Sequence, residues 1–207
     1  MDCALSRVKS GRVYGKYSAQ YCIGKSRIAI QVRIPGGVRD RRPERAHPMS
    51  SVTLLSVDRK GRELDAVRDL LLEYGEALAF NACFGGLDEE LLALHRFYRP
   101  PRGILLLARQ GVDDAGCVAV RGIDASTCEL KRLYVRPRFR RAGLGRALVL
   151  QAIERSRAAG YERVCLDTLP VMIEARALYA SLGFTPCAPY YDNSCVGSDC
   201  FALRLAP

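Results

Sequence analysis

The sequence predicts an α/β (α+β) domain on one mixed central sheet, ordered β-α-α-β-β-β-α-β-α-β-β from residue 51 onward. Three observations carry this. Strand-length runs alternate in polarity or are apolar throughout. Between some of them lie amphipathic stretches with apolar residues three and four apart. Gly and Pro clusters punctuate the boundaries, and no internal repeat is present.

The elements follow in order. "SVTLLSVD" (51–58) alternates like a strand. "ELDAVRDLLLEYGEALAF" (63–80) places Leu64, Val67, Leu71, Tyr74 and Leu78 on one helical stripe. "NACFGG" breaks it, "LDEELLALHRFY" (87–98) gives a second helix, and "RPPRG" ends that one. "ILLLARQ" (104–110), a "GVDDAG" turn and "CVAVRGI" (117–123) form a hairpin. "CELKRLYV" (128–135) is the next strand, and its apolar set breaks alternation between Leu130 and Leu133, as a β-bulge does. A helix follows through about Ala159, with Gly160 as its stop. "RVCLDTL" (163–169) lacks alternation, which suits a strand buried on both faces. "VMIEARALYASLG" (171–183) is a helix, and "FTPC" and "DCFALRL" (199–205) are the last two strands.

Charge divides the chain. Of the net +10, residues 1–48 supply +8, with 11 Lys/Arg against Asp2, Asp40 and Glu44. They are expected as a basic, disordered extension in which "RIAIQVRIPGG" alternates briefly, and residues 49–207 as the functional domain. The nearly neutral body argues against nucleic acid as partner, since the electrostatic footprint belongs on the domain that makes contact. No apolar run approaches the ~20 residues that span a bilayer, so no membrane partner is expected. The nine cysteines are scattered without a CxxC and the histidines are only two, so no metal site is expected. Reduced thiols and no secretory signal suggest the cytoplasm.

"RPRFRRAGLGRAL" (136–148) sets a basic Gly turn between strand and helix. The first helical N–H groups lack internal partners and the helix dipole adds positive potential, so such a turn can seat a phosphate. It is neither a Walker A loop nor a dinucleotide fingerprint, and by itself it reads equally well as a helix-capping turn.

"RRAGLG" (Arg140 to Gly145) resembles the R/Q-x-x-G-x-G/A signature of the GNAT acyltransferase superfamily and stands after the bulged strand, where that family has it. "ALYASLGF" (177–184) resembles the family's A-L-Y-x-x-x-G-F helix end, and "CELKRLYVRP" resembles a bacterial subgroup reading E-L/M-K-R-L-Y-V-x-P. The likeness spans about residues 51–205, and Arg141 and Ala142 stand where relatives often have Gly and a basic residue.

The resemblance implies a GNAT fold with splayed fourth and fifth strands and acetyl-CoA as co-substrate. Leu133, Tyr134 and Val135 would line the pantetheine, and Arg140, Arg141, Ala142, Gly143, Leu144, Gly145 and Arg146 the pyrophosphate. Direct transfer to a primary amine, of a small molecule by analogy, is implied. Glu129 takes the offset of a catalytic base and Tyr179 the position of the family's tyrosine acid. The N–H of the bulged strand near Leu133 would meet the oxyanion. Phe80, Asn81 and Phe84, with Tyr190, Tyr191, Asp192 and Asn193, are acceptor-contact candidates, Asp192 as partner of an ammonium. A monomer or homodimer fits. The alternative reading is a non-catalytic acyl-CoA-binding or nucleic-acid-associated module with a basic arm.

Overall fold

A computed structural model describes residues 8–10, 19–24, 27–33, 51–77, 87–190 and 197–205, the first three segments as backbone only. Its elements are β1 (Val8–Ser10), β2 (Ala19–Gly24), β3 (Arg27–Arg33), β4 (Ser51–Ser56), α1 (Arg62–Ala77), α2 (Leu87–Leu92), α3 (Leu94–Phe97), β5 (Ile104–Gln110), β6 (Asp113–Gly122), β7 (Thr127–Val135), α4 (Leu144–Ala158), β8 (Arg163–Thr168), α5 (Ile173–Ser181), β9 (Thr185–Pro186) and β10 (Asp199–Arg204). One sheet joins all the strands in the order β1-β2-β3-β4-β5-β6-β7-β8-β10-β9. From residue 51 on, the seven strands are those expected, and the sheet is mixed because β7 and β8 alone run parallel. The basic extension carries three strands, β3 pairing with β4 from Ala29 opposite Leu55 to Arg33 opposite Ser51. The alternating "RIAIQVR" is the local reason.

Two cores sandwich the sheet. On one face α4 packs through Leu144, Ala147, Leu148, Ala152 and Ile153 against Leu106, Val118, Val120, Leu130, Val164 and Leu166, and α5 adds Tyr179. On the other, Leu64, Val67, Leu70 and Leu71 of α1, with Leu91, Leu94 and Tyr98, cover Leu105, Leu107, Cys117, Ala119 and Tyr134. Side chains alternate along each strand, so a residue's core membership tells which face it occupies. The stretch expected as one helix over 87–98 is two, because Ala93 leaves helical geometry (φ −123°, ψ 20°). The break lets Leu94 and Tyr98 both bury while the Tyr98 hydroxyl returns to Glu90 (2.5 Å). The "GVDDAG" turn shrinks to Gly111 and Val112, with β6 starting at Asp113. Among the described residues no helix is long and apolar enough to cross a membrane, and no metal-binding cluster of His, Cys, Asp and Glu occurs.

Candidate active site

The sheet is interrupted where β7 meets β8. Their parallel ladder has three rungs, Thr127 with Arg163, Cys128 with Val164 and Glu129 with Cys165. Beyond Glu129 the strands part. β7 runs on to Val135 against β6, and β8 to Thr168 against β10. A wedge therefore opens toward the C-terminal ends of both strands.

The bulge expected between Leu130 and Leu133 lies on the wall of this wedge. Ala119 faces Lys131 and Cys117 faces Tyr134, so Arg132 and Leu133 together oppose Val118. Arg132 takes a left-handed conformation at φ 57°, which costs a non-glycine residue about 1–2 kcal/mol. Its guanidinium forks onto Glu90 (Nε 2.8 Å, Nη2 2.7 Å), which also accepts from Tyr98. This bidentate geometry is the strong form of the pair. Glu90 stays below the usual carboxylate range although burial pushes the other way, because Arg132 and Tyr98 stabilise its charge. The Cys117 thiol under the bulge is raised to about 12 by burial, which keeps it from acting as a thiolate nucleophile.

After β7 the chain makes a single 3-10 turn at Pro137–Phe139, extends at Arg140 and passes through positive φ at Arg141 (63°) and Gly143 (83°) before α4. Gly143 is the residue before the helix, and no side chain caps that end. Arg140 bonds back to the Val135 carbonyl through Nε (2.8 Å), and Arg146 reaches the Ser181 hydroxyl (2.8 Å). Leu144 is buried in the α4-side core, so only its backbone is available to a ligand. A Cβ on Gly145 would meet Leu178 and Val135 at 3.7 and 3.8 Å, ordinary contact between β7 and α5. Arg141 lacks the freedom of glycine at its φ, so Arg141→Gly is expected to raise stability by up to about 1 kcal/mol in a thermal melt.

Leu133 and Val135 turn to the α4 side, and Tyr134 to the α1 side, its ring 5.5 Å from Tyr74 and its hydroxyl 3.4 Å from Glu73. Tyr179 is 6% exposed, its ring 5.7 Å from that of Phe184. Burial, followed by the charges of Tyr74 and Asp167, drives its hydroxyl well above the ordinary tyrosine range. Glu129 stands on the last rung, 0% exposed, and accepts from Arg121 Nε (2.6 Å), Lys131 Nζ (3.0 Å) and the Tyr190 hydroxyl (3.1 Å). The carboxylate named from sequence as a base is thus sealed and shared by two cations. Phe80, Asn81, Phe84, Tyr191, Asp192 and Asn193 lie outside the described residues.

A split parallel pair beside a bulge, with a left-handed Gly turn opening the next helix, is the arrangement that the sequence resemblance called for. The model of the acetyltransferase (GNAT) family matches residues 64–184. The chain belongs to the GNAT family. This acetyltransferase is 42% identical over 134 residues to an uncharacterized N-acetyltransferase of Schizosaccharomyces pombe, covering 64% of this chain and 82% of that one. An acetyltransferase from Streptococcus agalactiae shares the fold, with TM-score 0.64 and 20% identity over 74% of this chain and 98% of that one. A GNAT family acetyltransferase from Elizabethkingia anophelis, solved with acetyl-CoA bound, superposes with TM-score 0.52 and 20% identity, covering 74% and 98%.

Within the GNAT domain, four groups near the wedge escaped sequence reasoning. Tyr74 reads as one more member of an apolar helical stripe, yet it reaches the wedge, where burial raises its hydroxyl to about 12. Asp167 was hidden in a strand read as buried on both faces, although Val164 and Leu166 on the α4 side oblige it to face α1. Arg121 and the Arg132–Glu90 pair depend on register and on a contact 42 residues apart in the chain. No local pattern announces either.

Proposed function

We propose that this acetyltransferase moves the acetyl group of acetyl-CoA directly to a primary amine of a small molecule. The single observation that carries the reading is the wedge between β7 and β8, walled by the bulge, with the Gly143 turn following the end of β7. Acetyl-CoA supplies an activated acyl thioester. The residues present fit it. The edge of β7 at Leu133, Tyr134 and Val135 offers extended backbone to the pantetheine amides. The turn from Arg140 through Arg141, Ala142, Gly143, Leu144, Gly145 and Arg146 offers helix N-terminal amides and guanidinium groups to the pyrophosphate. The Elizabethkingia anophelis neighbour, solved with acetyl-CoA bound, supports acetyl-CoA as the co-substrate.

The chain's own groups divide the work. Arg132 holds the bulge, and the Leu133 N–H in it is the donor assigned to the negative charge developing on the acyl oxygen. Of the two carboxylates on the α1 side, Glu129 is sealed under its three donors, so Asp167 is the one at which the amine sheds a proton before it attacks. Tyr179 gives its proton to the departing sulfur. Burial keeps this hydroxyl protonated, and because its pKa lies above the ordinary value its donor form persists as pH rises past about 10.

Tyr179→Phe is expected to lower kcat about 10²- to 10⁴-fold with little change in KM for acetyl-CoA, read as free thiol released with a panel of amines. The wild-type rate should show no loss from this group between pH 7 and 9, a range that lies below its raised pKa. Undiminished turnover in the Phe variant would remove Tyr179 from the mechanism. Binding of acetyl-CoA without turnover of any amine by the wild type would overturn the enzymatic reading.

A further inference from the structure

Unlike charges line the two ends of the wedge on its α1 side. Cys117 and Ala119 of β6 belong to the α1-side core, and the strand's alternation adds Arg121 to the same face. Arg121 and Lys131 both bond Glu129, so β7 contributes Glu129 and Lys131 to this face too. On β8, Val164 and Leu166 face α4, which turns Cys165 and Asp167 toward α1. The last rung, Glu129 with Cys165, fixes the register. Asp167 is two residues farther along β8, about 6.6 Å at the usual strand rise.

At the inner end one carboxylate, Glu129, is shared by two cations, Arg121 and Lys131. Arg121 engages Glu129 through Nε, and its side chain is 38% exposed. Its Nη pair is a forked donor suited to a carboxylate. Glu129 already accepts three hydrogen bonds, of the roughly four a carboxylate takes. Arg132 is taken up by Glu90. Toward the outer end lies Asp167, whose charge is felt by the hydroxyls of Tyr74 and Tyr179. Asp167 therefore lies at the end where Tyr179 stands.

We propose that the acceptor is a small amine that also carries a carboxylate, an amino-acid-type zwitterion, with its ammonium beside Asp167 and its carboxylate on Arg121 and Lys131. This rests on the acetyltransferase reading and deepens it. Asp167 takes the proton that the ammonium sheds. The nitrogen then bonds to the acyl carbon as the carbon–sulfur bond breaks, and the sulfur leaves with that electron pair and the proton from Tyr179. The nitrogen, now bonded to the acyl carbon, gives up its second proton, which returns to Tyr179 through water, while the proton on Asp167 passes to solvent, so the products are an N-acetyl amino acid, free CoA and one released proton. Acetylation cancels the acceptor's positive charge and with it the attraction to Asp167, which favours product release.

The test compares matched acceptors in the thiol-release assay: α-amino acids, their amides and the amines left by decarboxylation. The carboxylate-bearing member of each set is expected to show at least tenfold higher kcat/KM. Arg121→Gln should bring that ratio close to one, and Arg121→Lys should keep part of it. Asp167→Asn should lower kcat. Calorimetric binding of acetyl-CoA verifies that each variant is folded, and Arg121→Lys serves if the Gln variant is not. Equal or better turnover of the amides and decarboxylated amines would overturn the proposal, as would an unchanged ratio in Arg121→Gln. Turnover of no amine at all would overturn the acetyltransferase reading, and this inference with it.

Discussion

Replacing Gly143 by Val is expected to lower the affinity for acetyl-CoA at least 100-fold in calorimetric titration. Two effects combine. Gly143 holds φ 83° at the mouth of α4, where left-handed backbone costs an L-residue about 1–2 kcal/mol and a β-branched one more. Relief of that strain reorients the peptide that opens the helix, and with it the N–H groups offered to the pyrophosphate. The added side chain also occupies the surface that a ligand must approach. Gly145 differs, since a methyl there meets its neighbours at ordinary contact distances. Ala at Gly145 thus probes only the room the ligand needs, whereas Val at Gly143 removes the conformation as well. A change at Gly143 that leaves the affinity within threefold of the wild type would refute the turn as the phosphate seat.

Removing Arg132 should have the largest effect on stability, about 3–5 kcal/mol for Arg132→Ala in chemical denaturation. The loss comes less from the missing attraction than from what stays behind, a Glu90 carboxylate in a site where its residue is 7% exposed. Tyr98 alone cannot replace two charge-assisted bonds. The sign with pH follows from Glu90, which the pair holds below its ordinary value in the folded state. Its stabilising contribution is complete above the unfolded carboxylate range and fades as pH falls through the lower, folded value. The wild type should therefore lose this advantage over Arg132→Ala in acid. A difference between the two that stays constant from neutral pH down to pH 3 would exclude the ion pair as its source.

Much of the fold could be read from the sequence because its cues are local. Periodicity placed α1, and a break in alternation put the bulge between Leu130 and Leu133, where the structure has it at Arg132 and Leu133. Gly143 and Gly160 marked a helix start and a helix end. What escaped depends on pairing across the sheet. The three-rung ladder sets where the wedge begins, and that rung count is written in neither β7 nor β8. The same holds for Glu129. Its offset from Arg140 is visible in the sequence, but Arg121 and Tyr190 arrive from 8 residues before and 61 after. Asp167 is not legible in the sequence because a run such as "VCLDT" displays no face until its neighbours are known.

The two cores differ in how far they extend across the sheet. Among the described residues the α4-side core is continuous from β5 and β6 through β7 to β8, α5 and β10, while the α1-side core ends at Tyr134. The two halves of the sheet are thus bound like the pages of a book, with the spine on the α4 side and the open edge facing α1. Any loosening of the halves gapes toward α1 and closes from there. For the acceptor proposed above, trimming the open edge is the change expected to make room for a larger molecule without touching the spine.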